Sequence, residues 1–360
     1  MPADAVEVAV VGGGVMGLAT AWELASRGLR PVVFERFARG HRHGASHGAT
    51  RNFNNAYDED HYLDLLVRAH EGWLRLGSVD GEPLLRLHGL VTHGEVGIAA
   101  IERLLVERGI HAELLSSREA ASRWAGMRFD GEVLFSRDAG VARASAALLE
   151  LERRIVAADG EVRWETPVLG IRETDSGVDL ELAGRAVHAD VAVVTVGAWT
   201  ERMLPSMRLP RLTVTEEFPA HFRPIDGSDW PSFNHYVTPD AYPATVYGMP
   251  TPGEGVKVGF HRVGDEVDPD ARPHAVTHAA ALSDYVREWM PGLDPASAVP
   301  ISCTYTSTDD SAFVLDRRGR IVVGAGFSGH GFKFAPGIGA ALADLAVDPS
   351  ALAAPAFRLM

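Results

Sequence analysis

The most constraining feature of the sequence is a glycine-rich segment that lies between two short apolar runs. Residues 6–11 form a valine-rich run typical of a buried strand, and residues 12–17 then read G-x-G-x-x-G. A helical pattern follows as far as Arg27, and a second apolar run ends at Glu35. A strand, a helix and a strand within about 30 residues have the size of a βαβ unit. The sequence therefore predicts an α/β fold with these glycines at its first turn.

The spacing of the glycines predicts a dinucleotide site. Gly12 permits the tight turn, Gly14 lets the backbone approach a pyrophosphate, and Gly17 lets the helix pack closely on the strand. The N-terminus of the helix faces the negative phosphates. The carboxylate of Glu35 can accept a hydrogen bond from a ribose hydroxyl. The pattern alone does not distinguish FAD from NAD.

Composition excludes several other classes of protein. One cysteine excludes an intramolecular disulfide, a four-cysteine zinc site and a cysteine-ligated iron–sulfur cluster, and it favours a reducing compartment. A formal charge of −14 argues against nucleic acid and against an anionic membrane surface as partners. The first residues do not resemble a signal peptide, and no apolar run approaches the ~20 residues of a membrane span. We predict a cytoplasmic protein.

Three further motifs have ordinary explanations. A second G-x-G-x-x-G at residues 324–329 precedes a segment, 330–336, that is not typical of a helix opening, so we expect its glycines to lie against a flat ring. The G-x-S-x-G at residues 44–48 lacks the buried strand that a hydrolase serine needs before it. Histidines 41, 43 and 47 have no carboxylate or cysteine to complete a metal site. No metal is predicted.

Two lysines and the cysteine are ambiguous by themselves. Lys257 lies in an alternating run and shares a strand face with Gly259 and His261, and a solvent-facing strand is the ordinary interpretation. Lys333 lies between two phenylalanines, which favours a partly buried cation. Cys303 taken alone is a small buried hydrophobe.

Taken together and in this order, the motifs resemble those of a known family. They are the first glycine pattern with Glu35, then Ser46-His47-Gly48-Ala49-Thr50-Arg51, Tyr247-Gly248-x-Pro250, Lys257-x-Gly259-x-His261, Cys303-Thr304-Tyr305-Thr306 and the run from Gly326 to Lys333. From about residue 5 to residue 350 the chain resembles the monomeric sarcosine oxidase and N-methyltryptophan oxidase family of D-amino-acid-oxidase-like flavoproteins. The resemblance implies a mixed α/β fold in which a Rossmann-like FAD-binding domain is interleaved with a β-sheet-rich substrate-binding domain.

The resemblance also implies domain boundaries and a cofactor site. The FAD-binding domain would comprise residues 1–82, 145–210 and 301–360, and the substrate-binding domain residues 83–144 and 211–300. Cys303 would attach the flavin covalently through its 8α-methyl group. The other residues that the resemblance places at the FAD are Gly12, Gly14, Val15, Met16, Gly17, Glu35, Arg36, Ser46, His47, Thr50, Arg51, Val168, Gly197, Trp199, Gly326, Gly329, His330, Gly331, Phe332 and Lys333.

For the reaction, the resemblance implies two groups of residues. The catalytic group is Lys257, as the oxygen-activating lysine, with His261, Arg51, His47 and Tyr305. The substrate group is Asn54, Tyr247, Lys333 and Glu216. In this group Lys333 would bind a carboxylate, and Glu216 could meet a cationic group of the substrate.

One position departs from the family. Sarcosine oxidases have a second arginine three residues after the loop arginine, whereas this chain has Asn54. A neutral amide cannot replace a bidentate guanidinium as a clamp for a carboxylate. Either Lys333 holds the carboxylate alone, or the substrate differs from sarcosine.

The resemblance implies that the protein is an FAD-dependent oxidase of a secondary or N-methyl amine or amino acid. Such an enzyme would use O2 as acceptor and form H2O2, and we expect a monomer whose partners are O2 and a small amine bulkier than sarcosine. The alternatives are a flavin-dependent dehydrogenase with another electron acceptor and an NAD(P)-dependent reductase.

Overall fold

A computed structural model of the chain describes residues 4–225, 227–238 and 240–359. Within these ranges the helices are α1 (Val15–Ser26), α2 (Asp60–Leu76), α3 (Ile98–Glu107), α4 (Ser117–Arg123), α5 (Ala144–Ala157), α6 (Thr200–Met203), α7 (Ala279–Trp289) and α8 (Ala335–Val347), with 3-10 turns at Gly197–Trp199, Phe332–Phe334 and Pro355–Phe357. The strands are β1 (Asp4–Val11), β2 (Pro31–Phe34), β3 (Thr50–Phe53), β4 (Ser78–Val79), β5 (Glu82–Pro83), β6 (Leu85–Leu87), β7 (Leu90–Gly94), β8 (Glu113–Ser116), β9 (Glu132–Ser136), β10 (Gly140–Arg143), β11 (Glu161–Arg163), β12 (Gly170–Glu173), β13 (Val178–Leu182), β14 (Arg185–Val194), β15 (Thr213–Glu217), β16 (Ala220–Phe222), β17 (Ser232–Tyr236), β18 (Val246–Thr251), β19 (Gly255–Phe260), β20 (Asp265–Glu266), β21 (Val299–Pro300), β22 (Cys303–Ser307), β23 (Val314–Arg318) and β24 (Ile321–Ala325). The mixed α/β fold is confirmed.

A parallel sheet carries the glycine-rich turn. Strands β11, β2, β1, β14 and β24 lie side by side and run parallel, and β23 pairs with β24 at the edge. Val10 pairs with Val33 on one side and with Val193 on the other. The paired segments 8–11, 31–34 and 191–194 are rich in valine because helices and the β12–β13 hairpin cover this part of the sheet and bury all of their residues. Helix α1 packs between this sheet and helices α5 and α8.

A second large sheet is mainly antiparallel. Its strand order is β21-β16-β19-β18-β17-β7-β9-β8, and β17 and β7 are parallel neighbours. Alternate residues of its central strands pack against α7 in a core that includes Phe233, Val258 and Tyr285. The opposite face carries Lys257 and Tyr247, because side chains alternate along a strand.

Two three-stranded sheets carry further residues that were predicted to contact the cofactor or the substrate. In one, β3 pairs with β10, which also pairs with β6. In the other, β15 pairs with β22 and brings Glu217 opposite Cys303. None of the described helices is long and apolar enough to cross a bilayer. The division into two domains at the boundaries given above remains a prediction.

The β12–β13 hairpin turns at residues 174–177, and one expectation about the end of the chain is wrong. Helix α5 begins at Ala144, because residues 140–143 pair with β3 as strand β10. The segment 330–336 does open a helix, since the 3-10 turn at Phe332–Phe334 leads directly into α8. Pro336 is tolerated there because the N–H that it lacks has no partner in a first turn.

Candidate active site

The turn between β1 and α1 is closed by backbone contacts that exclude side chains. Gly12 has φ +104°, and a Cβ there would lie 2.6 Å from the carbonyl oxygen of Thr195. A Cβ on Gly17 would lie 1.9 Å from the carbonyl oxygen of Gly12. Gly14 is the extended residue that precedes the first turn of α1. Only glycine fits at positions 12 and 17, so the helix N-terminus lies directly against the end of the strand.

Polar groups surround this helix N-terminus. The backbone N–H of Val15 donates to Ser46 Oγ at 3.0 Å, which brings the loop after β2 to the start of α1. Glu35 is buried at the end of β2 and accepts hydrogen bonds from the N–H groups of Gly13 at 2.6 Å and Phe37 at 2.9 Å. A carboxylate has about four acceptor sites, so Glu35 can still accept a ribose hydroxyl.

Three predicted cofactor residues lie at the carboxyl ends of the parallel strands. Val168 packs in the core that includes Phe34. Arg36 follows β2, forms an ion pair with Asp270 at 2.9 Å and lies 5.7 Å over the ring of Trp199. Trp199 belongs to the turn after β14, where Gly197 has φ +55°. Ligands of doubly wound sheets bind at this edge.

The loop that contains Ser46 also fixes Arg51 beside His47. The guanidinium of Arg51 donates to the carbonyl oxygens of Thr50 at 2.9 Å and Ala45 at 2.8 Å, and also to that of His47. Burial and the charge of Arg51 lower the pKa of His47 to about 4. His47 Nε2 is buried and has no hydrogen-bond partner among the described residues. Thr50 Oγ1 lies 2.7 Å from Thr251 Oγ1, which joins this loop to the antiparallel sheet.

Lys257 is buried rather than exposed to solvent. Its side chain lies on β19 with 6% of its surface accessible. Burial, and then the charge of Arg51, lower its pKa to about 7, while Cys303 and Glu254 oppose this shift. Half of the ammonium form is therefore lost near neutral pH, instead of near the ordinary pKa of a lysine.

Tyr247, Tyr305 and His261 form an aromatic cluster on the same side of the sheet. The hydroxyl of Tyr305 donates to that of Tyr247 at 3.3 Å, and the ring of His261 lies 5.6 Å from the ring of Tyr305. The ring of Tyr305 rests against Gly329, where a Cβ would approach to 2.2 Å. Burial and the charges of Lys333 and Arg262 lower the pKa of His261 to about 4, so its imidazole is neutral at pH 7.

Lys333 is the second buried ammonium. Its side chain is 4% accessible, and burial lowers its pKa to about 7. Nζ donates to the carbonyl oxygen of His330 at 2.8 Å and lies 5.3 Å over the ring of Tyr57. The preceding Phe332 lies 5.4 Å from the guanidinium of Arg51. A Cβ on Gly331 would lie 3.0 Å from Met16 Cε, which places this turn against α1.

Lys257 and Lys333 are the two lysines of the whole sequence. Every other position with a permanent cation carries arginine, although Lys and Arg together number 34. Lysine differs from arginine in being compact and in shifting its pKa readily when buried. The chain therefore uses lysine only in this cluster.

Cys303 and Glu216 lie on opposite faces of the β15–β22 ladder. Cys303 is 9% accessible and pairs with Glu217, and Tyr305 shares its face. Glu216 points the other way, and its carboxylate accepts hydrogen bonds from Ser302 Oγ at 2.6 Å and from the N–H of His274 at 3.1 Å. The oxygens of Glu216 thus bind the residue that precedes Cys303 and the loop at His274, and its contact with a substrate stays a prediction.

Asn54 directly follows β3, and its side chain stabilises the turn that begins there. Its side-chain oxygen accepts the N–H of Ala56 at 2.7 Å, which leaves the amide NH2 as its free donor group. A donor of this kind carries no charge, in contrast to a guanidinium.

Two residues of the cluster were not singled out in the sequence. Tyr57 lies under Lys333, and its Oη is 3.0 Å from His330 Nδ1. His221 lies opposite Lys257 on β16, and its Nε2 is 3.3 Å from a carboxylate oxygen of Glu254. No motif marks either residue. The only available signal for His221 is its place on the strand that pairs with β19.

A family model described as FAD dependent oxidoreductase matches residues 7–345. The chain belongs to this family. Peroxisomal sarcosine oxidase of Homo sapiens is 34% identical, and the alignment covers 96% of this chain and 93% of that protein. Monomeric sarcosine oxidase of Bacillus sp. (strain NS-129) is 30% identical over 94% of this chain and 92% of that protein. The predicted resemblance is confirmed, and this FAD-dependent oxidoreductase is an amine or amino acid oxidase of the sarcosine oxidase type.

A solved structure of NikD, described as an unusual amino acid oxidase essential for nikkomycin biosynthesis, has the same fold. Its open form gives a TM-score of 0.85 at 25% identity and covers 97% of this chain and 95% of that one. The residues of this FAD-dependent oxidoreductase also fit the cofactor. His47 Nε2, in the loop that contacts the start of α1, is a buried polar atom without a partner among the described residues, and Glu35 at the end of β2 can still accept a ribose hydroxyl. The family thus assigns FAD, which the glycine pattern alone left open.

Proposed function

We propose that this protein oxidises a secondary or N-methyl amino acid larger than sarcosine, passes the electrons to O2 and releases H2O2. FAD supplies the two-electron redox chemistry when it is bound. The observation that carries the proposal is the buried Lys257, which has Arg51 as its strongest charged neighbour. The side chains position the substrate, exclude water and provide fixed charge.

Lys257 supports O2 as the acceptor. The costly step in the reduction of O2 is the transfer of the first electron, because it produces an anion. A positive charge that is already in place within a water-poor site stabilises such an anion strongly. Arg51 adds a permanent charge beside it, held by three carbonyl oxygens.

Lys333 supports a carboxylate on the substrate. Its ammonium is buried under aromatic rings, so a carboxylate would be bound with little competition from water. Tyr247 and Tyr305 offer hydroxyl groups and ring surface nearby, while the neutral His261 adds no further charge. Positive charge in low-dielectric surroundings disfavours an ammonium ion, so the substrate amine binds in its neutral form.

Asn54 supports a substrate larger than sarcosine. One charged hydrogen bond is worth ~1.5–3 kcal/mol, and the amide of Asn54 cannot supply it. At ~1.4 kcal/mol for each factor of ten, its loss lowers affinity for a very small amino acid by roughly one to two orders of magnitude. A cyclic or bulky substrate can recover this affinity through contacts with the aromatic cluster.

We also propose that Cys303 attaches the flavin through a thioether. Its support is the position of the single cysteine, which is buried on the face that carries Tyr305 and electrostatically coupled to Lys257. Acid precipitation of the wild type should leave the yellow colour in the pellet, whereas Cys303→Ser should release it. Free FAD in the supernatant of the wild type would contradict the attachment.

The test of the reaction is a peroxide-coupled screen of N-methyl and cyclic amino acids, run beside an oxygen electrode. Substrate-dependent O2 uptake matched by peroxide supports the oxidase. Reduction of a dye without O2 uptake would instead indicate a dehydrogenase, and turnover that requires NAD(P)H would indicate a reductase. Four of the similar proteins are named monomeric sarcosine oxidase, which supports a monomer. Size-exclusion chromatography tests that assignment, and the cytoplasmic location stays a prediction.

A further inference from the structure

Two buried histidines lie side by side on the face of the antiparallel sheet that is turned away from the active site. His93 on β7 pairs with His235 on β17. Their neighbours Thr92 and Asn234 face the other way, toward Tyr247, so the histidines face α7. The two imidazole rings are stacked with centroids 4.0 Å apart.

A carboxylate completes this group from the loop before β9. Asp130 Oδ1 lies 2.7 Å from His93 Nδ1 and 3.5 Å from His235 Nε2. All three atoms lie within 4.8 Å of one another. The histidines are each 1% accessible, whereas Asp130 is half-exposed and opens the group to solvent on one side.

The group contains a buried acceptor that the protein leaves without a partner. His235 Nε2 has no hydrogen-bond partner among the described residues. Leaving such an atom unsatisfied costs free energy, and native structures rarely do so without a reason. Trp289 Nε1 is also buried without a partner, and its ring lies 4.4 Å from that of His235. An indole N–H can donate a hydrogen bond but cannot accept one. It can therefore donate to an oxygen atom bound at this place, but it cannot act as a ligand of a cation.

The second hydrogen bond of His235 suits a metal ligand. Its Nδ1 lies 3.0 Å from the hydroxyl of Tyr285. Metal-bound histidines characteristically donate their other ring N–H to an oxygen, which fixes the ring and the tautomer.

We propose that His93, His235 and Asp130 form a binding site for a divalent cation of the zinc class. Two imidazole nitrogens and a carboxylate oxygen are ligands that Zn²⁺ accepts. In a tetrahedral site with bonds of about 2.0–2.1 Å, the ligand atoms are roughly 3.3 Å apart. The distances of 2.7 and 3.5 Å from Asp130 Oδ1 bracket that value. The fourth position, on the side of Asp130, is left to water.

The site would join parts of the chain that are distant in sequence. His93 and His235 belong to neighbouring strands, Asp130 precedes β9, and Tyr285 lies on α7. Zinc that binds only the folded protein stabilises it by mass action. The site lies across the sheet from Lys257, so occupation should raise the unfolding temperature and leave flavin-dependent turnover unchanged.

The test uses the flavin-loaded protein, treated with EDTA, desalted and dialysed against ZnCl2. We expect one equivalent of zinc per chain, and an unfolding temperature that rises until this equivalent is bound. X-ray absorption at the zinc edge should show nitrogen and oxygen ligands without sulfur, which separates this site from binding at Cys303.

Two variants and a matched control locate the metal. His235→Gln should abolish binding of the one equivalent of zinc. Asp130→Asn should weaken zinc binding by at least ~10-fold, and its half-exposed position makes a folding defect less of a concern. His188→Gln is the control, because His188 Nδ1 lies 2.8 Å from Asp179 Oδ1 in a pair that has no third metal-ligating side chain among the described residues. This variant should bind zinc as the wild type does. The proposal is overturned if the wild type takes up no equivalent, or if either site variant binds zinc with unchanged affinity.

Discussion

The two ends of the active site are built on different principles. The centre of the nucleotide end is one stretch of chain, residues 12–35, in which glycines and backbone N–H groups provide the fit. The substrate end takes Lys257, Tyr305 and Lys333 from β19, β22 and the turn before α8, and its chemistry depends on side chains. We infer that an added side-chain atom at the nucleotide end prevents flavin binding. The substrate end accepts new side chains, but the removal of a charged group there lowers activity.

The largest effect should follow from Gly12→Ala. A Cβ at this position would lie 2.6 Å from a backbone carbonyl oxygen that cannot move aside, and φ is +104°. We expect the purified protein to contain almost no flavin, as measured by absorbance near 450 nm. Gly28→Ala is the matched control, because φ is +85° and nothing lies within 4 Å of the new atom. Equal flavin loss in both variants would show that the strain of a positive φ, and not the close contact with the carbonyl oxygen, prevents flavin binding.

Lys257→Met should leave the flavin in place and slow its reaction with O2. Removal of one preorganised charge of this kind typically costs ~10²–10³ in rate. Stopped-flow measurement of the two half-reactions should find the loss in reoxidation, with reduction by substrate little changed. An unchanged reoxidation rate would leave Lys257 with a structural role only.

The pH dependence of reoxidation sharpens this test. Because the pKa of Lys257 is lowered to about 7, the ammonium is present below that pH and is lost as the pH rises through it. Reoxidation of the wild type should therefore slow as the pH rises from 6 to 9. Lys257→Met should be slow throughout and lack this slope.

Lys333→Met should act on substrate binding instead. Loss of a charged hydrogen bond of ~1.5–3 kcal/mol corresponds to a rise of roughly 10- to 100-fold in KM for a substrate with a carboxylate. An amine of the same shape without a carboxylate should be affected much less. If both substrates lose the same factor, the ammonium does not bind the carboxylate.

Asn54→Arg should give the smallest change, and in the favourable direction. A guanidinium at this place adds a second cation for the carboxylate, so turnover of sarcosine should improve by about tenfold. Asn54→Gln, which lengthens the side chain without charge, is the control. The prediction fails if the wild type already oxidises sarcosine as efficiently as its best substrate.

The same contrast explains how much could be predicted from the sequence. The glycine turn, Glu35 and the β12–β13 hairpin are local patterns, and the structure contains each of them. For Lys257, the alternating pattern of its strand predicts that its side chain lies on the same face as Gly259 and His261. Burial of that face could not be predicted, because it depends on Arg51 and other residues far away in sequence. Glu216 and Glu217 show the limit, because adjacent residues of a strand point to opposite faces and the register with β22 decides which one lies beside Tyr305. His93 and His235 meet only through the pairing of β7 with β17, which no local pattern predicts.

The confinement of lysine to positions 257 and 333 has a consequence for proteolysis. An endopeptidase specific for lysine finds no exposed cleavage site in the folded protein, since both lysines are buried. Once the chain opens, cleavage after these residues yields the fragments 1–257, 258–333 and 334–360. The appearance of the two cuts therefore reports the opening of β19 and of the turn before α8, which carry these lysines. A ligand that closes this end should slow both cuts together.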